Sequence, residues 1–233
     1  MNMVIKIWNK LVRKWTKLRL QPIRVFCLHH VCEQFDADAM YACDWMALDE
    51  FKQKINTLRN SGYQFISLTE AYHYLKKDYF RRKRYAVLTF DDGYKSLKEV
   101  LPWIEEQQIP VTLFINGKYL DGKSYRETPR EQYLTYEELF TLTSPLIEIG
   151  HHGWEHTAAD NMTKDEFTES LQKNIEILSA HPRYIPFWAY TWGRHTRSND
   201  KCLLINRIIP VLIEGNTNYK WISSIDRENF MCL

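Results

Sequence analysis

No run of about 18 apolar residues occurs in this 233-residue chain, so nothing in it reads as a bilayer-crossing helix. Cysteine is sparse. Five residues (Cys27, Cys32, Cys43, Cys202 and Cys232) make an odd count without the paired spacing of a zinc ribbon. That pattern favours reduced thiols in a cytoplasmic protein over a disulfide framework. Repeats, low-complexity segments and an obvious linker are all missing, and the length suits one domain with a sizeable core. Net charge is close to balance, at +2, and argues for no particular partner. The basic runs carry no reading motif, which leaves nucleic acid without support as a partner.

Acidic residues are absent from residues 1–20, which hold Lys6, Lys10, Arg13, Lys14, Lys17 and Arg19. Val4, Trp8, Leu11, Trp15 and Leu18 recur at helical spacing, so residues 1–23 read as a basic amphipathic helix ahead of a domain spanning 24–233. Lysines interrupt every apolar core that a signal peptide would need. Such a helix suits peripheral contact with an anionic membrane surface, or docking on the body of the fold.

What is present centres on Tyr85-Ala86-Val87-Leu88-Thr89-Phe90-Asp91-Asp92-Gly93-Tyr94. An apolar, β-branched and aromatic run reads as a buried strand, and it stops at two adjacent acids and a glycine. Paired carboxylates at a buried strand end repel each other and lose hydration, an objection that a dication removes. The partner stretch is Gly150-His151-His152-Gly153-Trp154-Glu155-His156, after the apolar run Leu146–Ile149. One carboxylate and two imidazoles, His152 and His156, suit a divalent cation such as zinc with an open fourth position. The second carboxylate would then be free to take a proton from water that the ion acidifies to a pKa of about 7.

Elsewhere, strand patterns alternate with helical ones. Strands are expected at 24–28, 63–66, 85–90, 111–115, 186–190 and 208–213, besides the run before Gly150. Helices are expected near 49–58, 67–77, 97–107, 163–178 and 200–206, with a break or late start at Pro102. Ser67–Glu70, Thr135–Glu138 and Thr163–Glu166 have capping-box spacing, and residues 116–134 read as a long polar loop. The alternation means parallel βαβ units, about seven or eight strands, in a barrel-like α/β domain with its site at the C-terminal strand ends. Asp91, His152, His29 and Tyr190 all fall at such ends.

At these residues the chain resembles the polysaccharide deacetylases, the NodB-homology domain of carbohydrate esterase family four. Thr89–Tyr94 resembles the first motif of that family. His152–His156 is similar to the second, with Gly153 in place of the usual hydroxyl residue. The resemblance implies a distorted, incomplete (β/α) barrel, with Asp91 as general base and Asp92, His152 and His156 as metal ligands. Leu28-His29-His30-Val31 resembles a signature of the circularly permuted branch that includes poly-N-acetylglucosamine deacetylases. It implies His29 as general acid, with His30 adjacent. Phe187–Gly193 resembles a further segment, in which Thr191 and Trp192 replace proline and tyrosine and Ala189 stands where the non-permuted family has a base-orienting arginine; Arg194 is the nearby candidate to replace it. The implied activity is removal of N-acetyl groups from an amino-sugar polysaccharide or glycan, using zinc or else cobalt, nickel or manganese. The Tyr94 backbone N–H would help hold the oxyanion, and Trp154, Tyr190 and Trp192 are candidate platforms for sugar rings. Two other readings of the same residues are a non-catalytic carbohydrate-binding relic of the fold and an iron(II) facial-triad oxygenase.

If residues 1–20 lie on an anionic surface, a chain lacking them should lose co-sedimentation with anionic liposomes. Equal co-sedimentation of the two chains would overturn that expectation.

Overall fold

The computed structural model describes residues 23–37, 44–76, 83–124 and 132–211. The expected amphipathic helix at 1–20 lies outside these residues, as does the end of the last expected strand beyond Val211. Nine strands and six α-helices follow one another in an α/β pattern among the described residues. They are β1 (Ile23–Leu28), β2 (His30–Cys32), β3 (Trp45–Ala47), α1 (Leu48–Asn60), β4 (Tyr63–Phe65), α2 (Leu68–Lys76), β5 (Arg84–Phe90) and α3 (Leu97–Glu106). Then come β6 (Val111–Ile115), α4 (Tyr136–Phe140), β7 (Ile147–His151), α5 (Lys164–Leu178), β8 (Tyr184–Ala189), α6 (Arg197–Ile205) and β9 (Ile209–Val211).

Seven strands form one parallel sheet in the order β1-β5-β6-β7-β8-β9, with β4 pairing the start of β5. It is the expected distorted, incomplete (β/α) barrel. The short pair β2–β3 was not foreseen; it branches off immediately after β1, where the histidines begin.

Alternation along the strands divides the core. Phe26, Leu28, Ala86, Leu88, Phe90, Leu113 and Ile149 face outward, against α1 and α3. Ile23, Val25, Val87, Phe114, Phe187 and Ala189 face inward, where Leu68 and Ala71 of α2 plug the barrel. Glu148 is a buried acid on that inner face. Its Oε2 accepts from the backbone N–H groups of Leu68 (3.1 Å) and Thr69 (3.4 Å), at the start of α2, and from the Thr112 hydroxyl (3.0 Å). A carboxylate at a helix N-terminus is favoured by the free N–H groups and the helix dipole.

Capping boxes form at Thr135–Glu138 and Thr163–Glu166. At Ser67 the reciprocal bonds to Glu70 form as well (3.1 and 3.2 Å). Pro102 does not break its helix: α3 runs through it. The missing N–H removes one intrahelical bond, and burial of Leu97, Val100, Leu101 and Ile104 offsets that loss. The expected polar loop at 116–134 begins with a 3-10 helix, Gly117–Asp121, and its Tyr133 is buried. Among the described residues no helix is long and apolar enough to cross a membrane.

Gly150 shows how tightly the inner face is filled. A Cβ there would meet Phe114 Cε1 at 2.8 Å and the Phe187 carbonyl oxygen at 3.1 Å. Gly150→Ala should therefore cost about 1–3 kcal/mol by overpacking. Thermal unfolding is the check, at roughly 2–4 °C per kcal/mol; an unchanged Tm would contradict this packing.

Candidate metal centre

The parallel register of β1 on β5 builds the site. Leu28 pairs with Phe90, and the Asp91 N–H donates to the Leu28 carbonyl at 2.9 Å. Cys27, His29, Thr89 and Asp91 thus continue the inner face at the C-terminal end of two neighbouring strands. Asp92 and Gly93 then both take positive φ, 71° and 80°. Left-handed backbone is unfavourable for a non-glycine residue and is held where the surroundings enforce it. It sends the two carboxylates apart: Asp91 stays over β1, and Asp92 turns toward the loop after β7. Both are buried, at 7% and 2% exposure.

That loop delivers the histidines. The turn at Gly153, with φ of 93°, suits glycine and doubles the chain back so that His156 returns beside His152. The loop is stitched to its neighbours by the His152 N–H to the Ile115 carbonyl (2.9 Å) and by Asn116 Nδ2 (2.8 Å) and Thr191 Oγ1 (3.1 Å) donating to the His152 carbonyl. His151, one residue earlier, faces the other way and meets the Tyr184 hydroxyl at 2.9 Å; burial pushes its pKa down to about 3.

His152 Nε2 lies 3.4 Å and His156 Nε2 3.1 Å from Asp92 Oδ1, and one donor atom from each residue falls within 4.8 Å of the others. Tetrahedral zinc, with ligands at about 2.0–2.1 Å, needs donor–donor edges of about 3.3–3.4 Å, so this set fits a divalent cation. The far nitrogen of the His152 ring is anchored too. His152 Nδ1 hydrogen-bonds the Ala189 carbonyl at 3.0 Å, which leaves Nε2 as the coordinating atom.

Asp91 sits beside this trio, its Oδ2 3.9 Å from His152 Nε2. Oδ2 accepts from the Cys27 thiol at 3.2 Å, whereas Oδ1 is buried without a hydrogen-bond partner among the described residues. Burial, and then the charge of Asp91, push the Cys27 thiol well above its ordinary pKa, so it is a protonated donor here. Cys27, His29 and Asp91 form a second cluster within 4.8 Å. His30 goes elsewhere: its Nδ1 meets Ser96 Oγ at 3.0 Å, and its ring stacks on buried Tyr94 at 3.8 Å.

The remaining candidates separate clearly. Trp192 is 67% exposed, has φ of 60°, and sets its ring 4.9 Å from the His156 ring. Tyr190 is buried; its hydroxyl donates to Asp200 Oδ1 at 2.9 Å, and its ring stacks on His195. Trp154 is half-buried against Gly117, with Lys173 Nζ 5.7 Å from its ring. Arg194 donates to Asp160 Oδ2 and Asn161 Oδ1, both at 3.0 Å, and makes no ion pair with Asp91. Sequence reasoning missed Cys27, the side chain that does hold the Asp91 carboxylate. The signal was its place two residues before His29, on the same strand face.

Residues 78–205 match the profile of the family described as polysaccharide deacetylase. The YxkH protein of Bacillus subtilis is 25% identical over 130 residues, covering 55% of this chain and 44% of YxkH. The matched stretch therefore spans less than half of that relative. Among solved structures, the IcaB structure from Ammonifex degensii is similar, with a TM-score of 0.68 and 20% identity over 86% of this chain and 88% of that one. The Streptococcus pyogenes deacetylase PplD, solved in complex with acetate, gives 0.67 and 18% over 85% and 81%. At these identities the structures speak for the fold.

Asp92→Ala should weaken zinc binding by more than the roughly 10–100-fold that losing the hydrogen-bond partner of a ligand costs. Equilibrium dialysis at one zinc per chain is the check, and unchanged affinity would remove Asp92 from the ligand set.

Proposed function

This chain belongs to the polysaccharide deacetylase family, and on that premise we propose that it hydrolyses N-acetyl groups on an amino-sugar polysaccharide or glycan, with a divalent cation of the zinc class held by Asp92, His152 and His156. The observation that carries this reading is the division of the acid pair. Asp92 closes a three-donor set with the histidines, while the adjacent Asp91 keeps a buried carboxylate oxygen turned to no hydrogen-bond partner among the described residues. When bound, such a cation polarises a carbonyl and lowers the pKa of water to about 7.

The chain's own residues do the rest. Asp91 accepts the proton of the attacking water through Oδ1, its other oxygen being held by Cys27. Water adds to the amide carbon, and the developing oxyanion is met by the Tyr94 backbone N–H as it leaves the left-handed Asp92–Gly93 turn. His29, across the cluster from Asp91, donates a proton to the sugar nitrogen as the C–N bond breaks, and acetate and the free amine leave. His30 is committed to Ser96 and Tyr94, which supports His29 in this role.

Substrate contact is assigned to Trp192. Its exposed ring beside His156 can stack on a sugar, whereas Trp154 and Tyr190 spend their rings on neighbouring side chains. An aromatic residue held in left-handed backbone costs about 1–3 kcal/mol, a strain that persists at functional sites. Arg194 ties the same segment to Asp160 and Asn161 and so positions this rim.

Asp91→Asn should lower acetate release from N-acetylglucosamine oligomers by about 10²–10⁴, the usual weight of a general base. Full activity in that variant would sink the mechanism. Trp192→Ala should raise KM for oligomers more than it lowers kcat.

A further inference from the structure

The cluster beside the metal centre has a donor set of its own. Cys27 near the end of β1 and His29 just past it lie two residues apart, on one face, and Asp91, just past β5, is held beside them by its N–H bond to Leu28. Donor atoms of the three lie within 4.8 Å of one another, with Cys27 Sγ 3.2 Å from Asp91 Oδ2. Sulfur, imidazole nitrogen and carboxylate oxygen are the three zinc donor types, and three protein ligands leave a fourth position for water. Cys27 and His29 are only half-buried, so the cluster is open to solvent on one side.

We propose that Cys27, His29 and Asp91 bind a second, thiophilic divalent cation (zinc, cadmium or cobalt), and that this ion inhibits the enzyme. The proposal rests on the reading that Asp91 and His29 carry protons in hydrolysis. An ion at this cluster takes both side chains as ligands, so the carboxylate that should accept a proton has its charge neutralised by the bound ion, and the nitrogen that should give one is occupied. The thiol loses its proton to solvent as the bond to the metal forms. Two features set this site below the first in affinity. A proton must be displaced from a thiol that already donates to Asp91, and the ion sits next to another dication, Asp91 Oδ2 being 3.9 Å from His152 Nε2. The second ion therefore binds only once zinc exceeds one equivalent. Thiolate selects against harder cations, so magnesium and manganese do not reproduce the inhibition.

The test combines metal counting, spectroscopy and rate on the full chain. At excess zinc, the unsubstituted protein should hold two ions after equilibrium dialysis, and Cys27→Ser one. Titration with cobalt should show a thiolate-to-cobalt charge-transfer band in the near ultraviolet. That band should grow with the second equivalent, be lacking in Cys27→Ser, and persist in Asp92→Ala, where the first site is broken. Acetate release should fall by about 10²-fold or more at excess zinc, the weight of a lost general base. Excess manganese should leave it unchanged, and Cys27→Ser should keep at excess zinc the rate it has at one equivalent. Binding that stops at one ion, or a cobalt titration without the thiolate band in the unsubstituted chain, overturns the site whether or not the serine variant folds. Two ions with undiminished acetate release overturn the inhibitory role. The ion count and the band need no turnover, so they stand apart from any failure of the deacetylase reading.

Discussion

Asp91 and Asp92 are two neighbouring carboxylates, both buried, at the end of a strand whose preceding residues are apolar. Placing two such charges out of water is costly unless each finds its own compensation. Much of the local architecture follows from meeting that demand twice, in different directions. The left-handed turn at Asp92 and Gly93 splits the pair. The parallel β1–β5 register then brings a thiol and an imidazole to Asp91, and the sharp loop at Gly153 brings two imidazoles to Asp92. A bound cation would complete the second arrangement by charge. In the first, the protonated Cys27 donates to one oxygen and leaves the other available.

The scaffold around these groups is made rigid by packing. Strands with alternating faces bury one row of side chains under α1 and α3, and the other around the plug formed by α2. Glu148 locks that plug by accepting from its first N–H groups. The site occupies the same inner face, where the strands end and the apolar filling gives way to polar residues. Rigid strands hold Asp91 and His29, while the loops that carry His152, His156 and Trp192 are stitched by Asn116 and Thr191 to a shared carbonyl. Thr191 and Trp192 are both integrated: one supports His152 and the other abuts His156.

Most of the framework was legible in the sequence because it rests on local signals. Apolar runs marked β5, β6 and β7, and three capping boxes marked helix starts that the structure realises. The acid pair and the spaced histidines marked residues that the structure brings together as a candidate metal centre. What was not legible depends on relations between strands. The place of Cys27 two residues before His29 puts it on the same strand face, but it joins Asp91 only through the register of β1 on β5, a relation between distant segments. Likewise, the partners of Arg194 and the burial of Tyr190 are set by how the 3-10 turn at Thr191–Gly193 packs against α6 and the loop near Asp160. Pro102 misled because propensity counts one lost hydrogen bond and cannot weigh the core that α3 fills.

The central claim is that Asp92, His152 and His156 hold the one ion that hydrolysis needs, with Asp91 beside it as base. The direct measurement is acetate release from N-acetylglucosamine oligomers by chelator-stripped protein, followed as zinc is added up to one equivalent. The account requires negligible release from the stripped protein and a rate that rises in proportion to zinc, reaching its maximum at one ion per chain. Release that is undiminished by stripping and indifferent to added zinc would contradict it.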